Sequence, residues 1–291
     1  MKIAITGASG MLGTSLVSLL SKKYKIYANS HSKSLNHSNV EWECFDITSQ
    51  HLLISWLEKV RPEVVIYCAA MVNLDLCEKE KDLAKSIHFG SAKIALDFQK
   101  NTKNRFIYIS TDGVFDGTKN LSYKETDIPN PINVYAKTKY LAEQEIIKYT
   151  HSLILRTNIV GFNKNKTSFM DWVVRSLQEN KELNLFTDAR FSPIHVDSLS
   201  DVIKQIIEKP IYGLYHCASC ESISKFDFVK EFIREMNYKT FTANPISIEE
   251  FKFIAKRPKN LALDVSKLEN KLNLKLPTIS DCIMSLTNSF N

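Results

Sequence analysis

The sequence predicts an α/β fold built on a doubly wound parallel sheet, and three features of the first half of the chain predict it. Short runs rich in Val and Ile alternate with longer segments of helical periodicity. The runs are apolar throughout, as strands are when helices cover both faces of a parallel sheet. A glycine-rich turn follows the first run and opens the first helical segment.

The elements of the first half are justified by their length and periodicity. Strand candidates are short apolar runs, and helix candidates repeat apolar residues at spacings of three and four. In chain order they are the strand KIAIT, the helix GTSLVSLLSKK, the strand KIYAN, the helix HLLISWLEKV, the strand EVVIYCAA, the helix DLAKSIHFGSAKIALDFQKN, the strand RFIYIST, a helix holding Tyr135, and the strand SLILRTN.

The second half has a less regular pattern, which begins near residue 157. The candidates are the helix SFMDWVVRSLQEN, the strand ELNLF, the helix HVDSLSDVIKQIIEK, the strand GLYHCAS of the main sheet, and the helix SKFDFVKEFIREMN. The last sixty residues read as mixed and rich in loops. We expect a dinucleotide-binding domain at 1–156, to which 190–217 return, and a smaller mixed α/β substrate-binding lobe at 157–189 and 218–291.

Composition excludes several classes of protein. The chain is 44% hydrophobic and 24% charged, which is typical of a soluble globular protein, and its net charge of +6 is not concentrated in a basic block. We therefore expect no nucleic-acid partner, and no run is long enough to span a membrane. Scattered cysteines indicate reduced thiols in a cytoplasmic protein. Cys217 and Cys220 form a C-x-x-C pair that we interpret as structural thiols with no metal site, and redox or metal chemistry is the alternative.

The glycine-rich turn ITGASGMLG predicts a dinucleotide site. Glycines after a strand allow a tight turn and a close approach of the backbone to a pyrophosphate, which lies at the positive end of the following helix. The alternative is a simple glycine turn. The cofactor-binding residues predicted here are Gly7, Ser9, Gly10, Met11, Leu12 and Gly13.

The end of the second strand favours NADP(H). An acid there would accept from the ribose 2′-hydroxyl of NAD, but the segment YANSHSK has none. It offers the donors Asn29, Ser30, His31, Ser32 and Lys33 to a 2′-phosphate. NAD(H) stays open as an alternative, because Lys33 could equally be a solvated loop residue.

The segment CFDITS predicts an adenine contact. Asp46 follows a strand, where its carboxylate can accept from the adenine amino group while Ile47 packs on the ring. Asp46 could also cap the next helix, because DITSQHLL has the form of a helix start. Both readings can hold together.

The segment NVYAKTK carries Tyr135 and Lys139, four residues apart and therefore neighbours on one helix face. An ammonium beside a phenol favours the phenolate and lowers its pKa from about 10, which suits acid–base chemistry. The alternative is a solvated helix face with a chance Tyr and Lys.

In this order, the glycine loop, CAA, ISTDGVFDG and NVYAKTK resemble the extended short-chain dehydrogenase/reductase family, in its dTDP-4-dehydrorhamnose reductase-like subgroup. The resemblance extends through RFSPIHVDSLSDVI and RPKNLALDVSKL, and implies a Rossmann-type sheet. It implies that Tyr135 is the general acid that protonates a carbonyl oxygen, that Lys139 lowers the pKa of Tyr135 and binds the nicotinamide ribose, and that Thr111 holds the same oxygen.

The resemblance also implies further contacts. Cys68, Ala69 and Ala70 would line the nicotinamide side of the groove, where small residues permit a close approach. The substrate-binding residues would be Val72, Asn158 at the cofactor–substrate junction, Arg190 in the loop that returns to the sheet, and Arg257 near a diphosphate, for which a guanidinium is suited.

Three positions depart from the family pattern. Gly113 and Ile159 stand where relatives carry Tyr and Trp against the sugar, so the identity of the sugar stays open. His88 stands where an Asn often supports the catalytic residues, either as a proton relay through water or as a packed helix residue.

The resemblance implies an NADPH-dependent reductase of a nucleotide-linked keto sugar in surface polysaccharide precursor synthesis. Two alternatives stay open. One is a non-catalytic dinucleotide-binding subunit that resembles the beta subunit of methionine adenosyltransferase, and the other is a nucleotide-sugar epimerase or dehydratase. We expect a small nucleotide-sugar partner, and a homodimer is left open.

Overall fold

The computed structural model describes residues 1–31, 39–238 and 241–290. Its strands are β1 (Lys2–Thr6), β2 (Lys25–Ser30), β3 (Val40–Cys44), β4 (Val64–Tyr67), β5 (Arg105–Thr111), β6 (Ser152–Thr157), β7 (Ile159–Val160), β8 (Leu183–Phe186), β9 (Arg190–Phe191), β10 (Ile194–His195), β11 (Gly213–His216), β12 (Ile223–Ser224), β13 (Ala243–Ile246) and β14 (Asn260–Leu261).

A parallel sheet of seven strands forms the centre, in the order β11-β6-β5-β4-β1-β2-β3. The chain leaves β1 toward β2 and β3, and then crosses back to β4 on its other side. The carboxyl ends of β1 and β4 therefore form a topological switch point, where ligands bind in doubly wound sheets. The predicted fold class is confirmed, with GLYHCAS forming the edge strand β11.

Short strands form three further sheets. β7 pairs with β10, β8 pairs with β13, and β9 lies between β12 and β14. These strands pair with segments that lie far apart in the sequence. Of the strands in these three sheets, the sequence analysis predicted only β8.

The helices are α1 (Met11–Leu20), α2 (Gln50–Val60), α3 (Leu74–Lys79), α4 (Lys81–Lys85), α5 (Ser91–Thr102), α6 (Val134–Ile146), α7 (Phe169–Gln178), α8 (Val196–Glu208), α9 (Lys225–Glu235), α10 (Ser266–Leu272) and α11 (Ile279–Phe290). The helix predicted over 82–101 differs from this, because a π-helical turn at Ser86–Gly90 separates α4 from α5. The last sixty residues are also more regular than expected, because α10 and α11 lie there.

Helices cover both faces of the sheet. Ile3 and Ile5 of β1 pack in one hydrophobic cluster, whereas Ala4 between them packs in a second cluster on the opposite face. A third cluster contains residues of α7, α9 and α11, among them Phe228, together with Phe191 of β9. We propose that this third cluster is the core of the smaller lobe expected from the sequence.

Among the described residues, no helix is both long enough and apolar enough to cross a membrane.

Candidate active site

The glycine loop passes so close to neighbouring backbone that two of its positions exclude a side chain. Gly7 has a φ of +63°, and a Cβ there would lie 2.8 Å from the backbone of Ala69. A Cβ on Gly13 would lie 2.4 Å from the carbonyl oxygen of Gly7. Gly10 precedes α1 without a side-chain cap, so N–H groups of the first turn face the groove. This cradle fits the diphosphate of a dinucleotide.

A cavity of about 260 Å³ lies beside the start of α1. Ser9, Gly10 and Met11 of the predicted cofactor set line it, and His195 and Asp197 at the start of α8 face them. Leu12 and Gly13 are instead buried. The glycine loop therefore borders this cavity through Ser9, Gly10 and Met11.

The end of β2 presents fewer donors than the sequence suggested. Asn29 and Ser30 are buried, and the Asn29 amide donates to the backbone carbonyl of Phe45 at 3.2 Å. His31 is exposed at the strand end. Ser32 and Lys33 lie outside the described residues. Of the predicted set that the structure describes, His31 is the donor most accessible to a 2′-phosphate.

Asp46 closes a tight turn after β3. Its Oδ1 accepts from the backbone N–H of Thr48 at 2.9 Å and from the Thr48 hydroxyl at 2.8 Å. The N-cap of α2 is Ser49, so the alternative of Asp46 as the helix cap is wrong. Asp46 is exposed and Ile47 is buried beside it.

Small residues follow β4 at the switch point. The Ala69 N–H donates to the Thr6 hydroxyl at 3.3 Å, and the Ala69 backbone lies against Gly7. Cys68 and Ala70 are partly buried on either side. Burial raises the pKa of Cys68 to about 12, so its side chain is a neutral thiol.

Tyr135 is the second residue of α6, where a strong cap fixes the start of the helix. The Asn133 side chain accepts from the N–H of Ala136 at 2.9 Å. Thr111 ends β5 nearby: its hydroxyl donates to Asp112 at 3.1 Å and is close enough to the Tyr135 phenol to affect the pKa of that phenol. The predicted phenol and hydroxyl therefore meet at the carboxyl edge of the sheet.

Lys139 lies one turn further along α6. Its ammonium donates to the carbonyl of Ile109 at 2.5 Å and lies 4.3 Å from the centre of the Tyr108 ring. Burial lowers the pKa of Lys139 to about 8, and the charge of Glu143 opposes this shift.

The sequence expectation for the pKa of Tyr135 is wrong for this state of the protein. Burial raises that pKa well above its usual value, the charge of Asp112 adds to the rise, and the nearby Thr111 hydroxyl opposes it. The Lys139 ammonium donates to the Ile109 carbonyl rather than to the phenol. Tyr135 is therefore a protonated phenol.

His88 lies within the π-helical turn and is buried. Its Nε2 accepts from the N–H of Met71 at 2.9 Å, so Nδ1 carries the proton and donates to the Thr138 hydroxyl at 2.7 Å. Burial and the charge of Lys139 lower the pKa of His88 to about 3. Its ring meets that of Tyr135 edge-on, with centroids 5.3 Å apart. With both nitrogens engaged, His88 is a packed residue and not a relay.

Of the predicted substrate-binding residues, Asn158 lies beside the end of β5 and Val72 is exposed. The Asn158 amide donates to the carboxylate of Asp112, next to Thr111. Val72, after β4, is exposed.

The two predicted substrate-binding arginines, Arg190 and Arg257, each donate hydrogen bonds to other residues of the chain. Arg190 is exposed and donates to the carbonyl of Ser222 at 2.9 Å, across the pairing of β9 and β12. Arg257 donates to Asp75 on α3 at 3.0 Å. Neither guanidinium is hydrogen-bonded to Thr111, Tyr135 or Lys139.

Two charged groups near the site were missed by the sequence analysis. Lys225 is the first residue of α9, with its ammonium 3.3 Å from the centre of the Phe191 ring. A cation is electrostatically unfavourable at the positive N-terminal end of a helix. A lysine directly after the predicted helix cap Ser224 was therefore an unusual feature that the sequence already showed. Glu143, one turn after Lys139, pairs with Arg156 in the interior at 2.6 Å.

A glycine loop at the switch point of a parallel sheet, with a Tyr-x-x-x-Lys helix at its carboxyl edge, defines a Rossmann-type protein of the short-chain dehydrogenase/reductase class. A family model described as the RmlD substrate binding domain matches residues 1–291, and the chain belongs to that family. The resemblance seen in the motifs is confirmed.

Three relatives illustrate the range of the family. The chain is 29% identical to a dTDP-4-dehydrorhamnose reductase of Aggregatibacter actinomycetemcomitans over 94% of each chain. It superposes on the structure of dTDP-4-dehydrorhamnose reductase from Bacillus anthracis in complex with NADP with a TM-score of 0.88, at 31% identity over 98% of each chain. It is also 28% identical to methionine adenosyltransferase 2 subunit beta of Rattus norvegicus, over 92% of this chain and 81% of the relative.

Proposed function

We propose that the chain is an NADPH-dependent reductase that acts on the keto group of a nucleotide-linked sugar. The chain is an NAD(P)-dependent oxidoreductase of the short-chain dehydrogenase/reductase type, and NADP(H) is the favoured cofactor. The observation that carries the proposal is the placement of Thr111, at the carboxyl end of β5, near a protonated Tyr135 that has Lys139 one turn along the same helix. The relatives named as dTDP-4-dehydrorhamnose reductases support it.

NADPH held at the glycine loop would supply the hydride for the carbonyl carbon. Negative charge then develops on the carbonyl oxygen, where the hydroxyls of Thr111 and Tyr135 hold it. Tyr135 donates its proton to that oxygen, because it is a protonated phenol before the hydride arrives. Lys139, with a pKa of about 8, stabilises the phenolate that remains and binds the nicotinamide ribose.

The cradle at Gly7 and Gly13 and the open first turn of α1 would hold the diphosphate of the cofactor. Asp46 would contact the adenine and His31 the 2′-phosphate. Cys68, Ala69 and Ala70 would line the nicotinamide side. We further propose that the enzyme acts in surface polysaccharide precursor synthesis.

A second candidate is a non-catalytic dinucleotide-binding subunit. The likeness to methionine adenosyltransferase 2 subunit beta favours it, as do Gly113 and Ile159 at positions where reductases of this subgroup carry aromatic residues. The intact group of Thr111, Tyr135 and Lys139 favours catalysis instead.

The test mixes the purified protein with NADPH and a panel of dTDP-, UDP- and GDP-linked 4-keto sugars, and follows the loss of NADPH absorbance. Turnover with one sugar is expected, and Tyr135→Phe should lower it by about 100-fold or more while the Kd for NADPH changes little. Tyr140→Phe on the same helix is the matched control. NADPH binding without turnover of any sugar would support the regulatory subunit and overturn the reductase.

A further inference from the structure

The side chain of Asn133 makes two hydrogen bonds to different parts of the chain. Its Oδ1 accepts from the N–H of Ala136 at 2.9 Å and so caps α6, while its Nδ2 donates to the backbone carbonyl of Lys256 at 3.0 Å. An N–H needs an acceptor and a carbonyl needs a donor, so these two partners fix the orientation of the amide. Asn133 is only 2% exposed, so water has little access to either bond.

The Lys256 carbonyl belongs to the segment 255–257, which lies between β13 and β14 and outside the central sheet. The same segment is bonded to α3, where Oδ1 of Asp75 accepts from the Ala255 N–H at 3.0 Å and from the Arg257 guanidinium at 3.0 Å. The segment is therefore held at three successive residues, by α3 at both ends and by the cap of α6 in the middle.

The start of α6 is also bonded directly to α3. Oε1 of Glu78 accepts from the N–H of Val134 at 2.8 Å, and Val134 immediately precedes Tyr135. The helix α3, the segment 255–257 and the first turn of α6 thus form a closed ring of hydrogen bonds. Asn133 is the link in this ring between the segment and the helix that carries the Tyr135 phenol.

The second bond explains why Asn, rather than another capping residue, suits this position. Ser and Asp cap helices about as well as Asn, but neither has an amide N–H beside the capping oxygen. Asn73 shows a cap without such a link: its side chain accepts from the Leu76 N–H at 3.0 Å within α3, and the residue is exposed. Capping by itself therefore does not require the burial of Asn133 or its contact with Lys256.

We propose that Asn133 is a positioning residue, which joins the segment 255–257 to the helix of the proposed general acid. The link keeps a fixed separation between the part of the chain that carries Arg257 and the phenol of Tyr135. Proton donation needs the carbonyl and its donor in place together, and a displacement of about 1 Å can lower a rate about 100-fold. The effect on turnover rests on the proposed function, whereas the link between segment and helix does not.

Amide hydrogen exchange followed by mass spectrometry tests the link without any substrate. Asn133→Ser keeps a capping oxygen and removes the amide N–H, whereas Asn133→Ala removes both. In Asn133→Ser the amides of the segment 255–257 are expected to exchange about fivefold faster than in the wild type, and those of 134–137 at the wild-type rate. Asn133→Ala should accelerate exchange in both places.

Turnover tests the catalytic consequence of the link. With NADPH and the keto sugar that the wild type reduces, Asn133→Ser should lower kcat by about tenfold or more, while KM for the sugar and Kd for NADPH stay within about twofold. A residue that only caps α6 would leave the kcat of Asn133→Ser unchanged. Asn73→Ser is the matched control and should keep the wild-type exchange and kcat. Asn133→Thr replaces Asn133→Ser if circular dichroism shows that the latter does not fold.

The outcomes separate the link from the reaction. Wild-type exchange of the segment 255–257 in the folded Asn133→Ser variant would overturn the link. Faster exchange with an unchanged kcat would overturn the positioning role. Faster exchange in a protein that reduces no keto sugar would confirm the link and overturn the reductase, and with it the role of Asn133 in turnover.

Discussion

Lys139 donates a hydrogen bond of 2.5 Å to the backbone carbonyl of Ile109, and this bond joins the helix of the proposed general acid to the strand that carries Thr111. Lys139 is buried, and its ammonium also lies over the ring of Tyr108, which belongs to the same strand as Ile109. A buried cation held by one neutral acceptor is costly, which explains why its pKa falls to about 8.

Replacing Lys139 should therefore raise the stability of the protein and lower its activity. Lys139→Met keeps the length of the side chain and removes the buried charge, so we expect the free energy of unfolding at neutral pH to rise by roughly 1 to 3 kcal/mol. NADPH binding and turnover should fall by about tenfold or more. Urea denaturation and NADPH absorbance measure the two effects.

The sign of this stability effect depends on pH. The folded protein holds the Lys139 proton less tightly than the unfolded chain, so the wild type gains stability as the pH rises from about 8 to 10.5 and the advantage of the variant disappears there. Lys137→Met, exposed on α6, is the control. A variant that is less stable at neutral pH and equally active would contradict the expectation.

Arg257 and Asp75 give a second prediction, because the carboxylate competes with any diphosphate for the guanidinium. Arg257→Met should weaken the binding of dTDP or UDP by about tenfold or more. Asp75→Asn keeps an acceptor for the Ala255 N–H but removes the negative charge, so it should tighten nucleotide binding severalfold. Calorimetry measures both, with Lys256→Met as the control. If Arg257→Met binds dTDP and UDP as tightly as the wild type, then Arg257 only stabilises the contact of its loop with α3.

The Glu143–Arg156 pair predicts a large stability effect. Glu143→Gln leaves the Arg156 cation buried without its counter-charge, which should cost about 3 to 5 kcal/mol. The exposed pair of Glu145 and Lys148 is the matched control, and Glu145→Gln should cost at most about 1 kcal/mol. Urea midpoints at constant m-value report the difference. Similar losses in the two variants would show that burial adds nothing to the first pair.

His88 predicts a pH dependence of stability. Its pKa is about 3 in the folded protein, whereas the ordinary value is 6.5, so the unfolded chain binds the proton first as the pH falls. Stability should therefore decrease on acidification, by roughly 2 kcal/mol between pH 7 and pH 5 from this residue. His88→Gln should remove that share of the slope, and His51→Gln, on an exposed part of α2, should not. His216, also with a pKa of about 3, keeps the remaining slope. Parallel slopes for His88→Gln and the wild type would refute the assignment.

Local patterns were sufficient for the sheet and for the position of the glycine loop. Apolar runs specify buried strands, and Gly7 and Gly13 are confined by contacts that no side chain tolerates. The break between α4 and α5 was not visible in local patterns, and His88 in the π-helical turn bonds Met71 and Thr138, which are distant in the sequence. The helix α11 was missed, although its buried positions follow helical spacing, because Ser and Thr interrupt them.

By itself the sequence determined the doubly wound sheet, the glycine cradle and the placing of Tyr135 and Lys139 on one helix face, because strand burial and helical spacing depend on residues close together in the chain. Only the tertiary structure decided that the Lys139 ammonium bonds the Ile109 carbonyl and that the Arg257 guanidinium bonds Asp75. Burial and the choice of partner set the protonation of these groups, and both depend on contacts between residues that are distant in sequence.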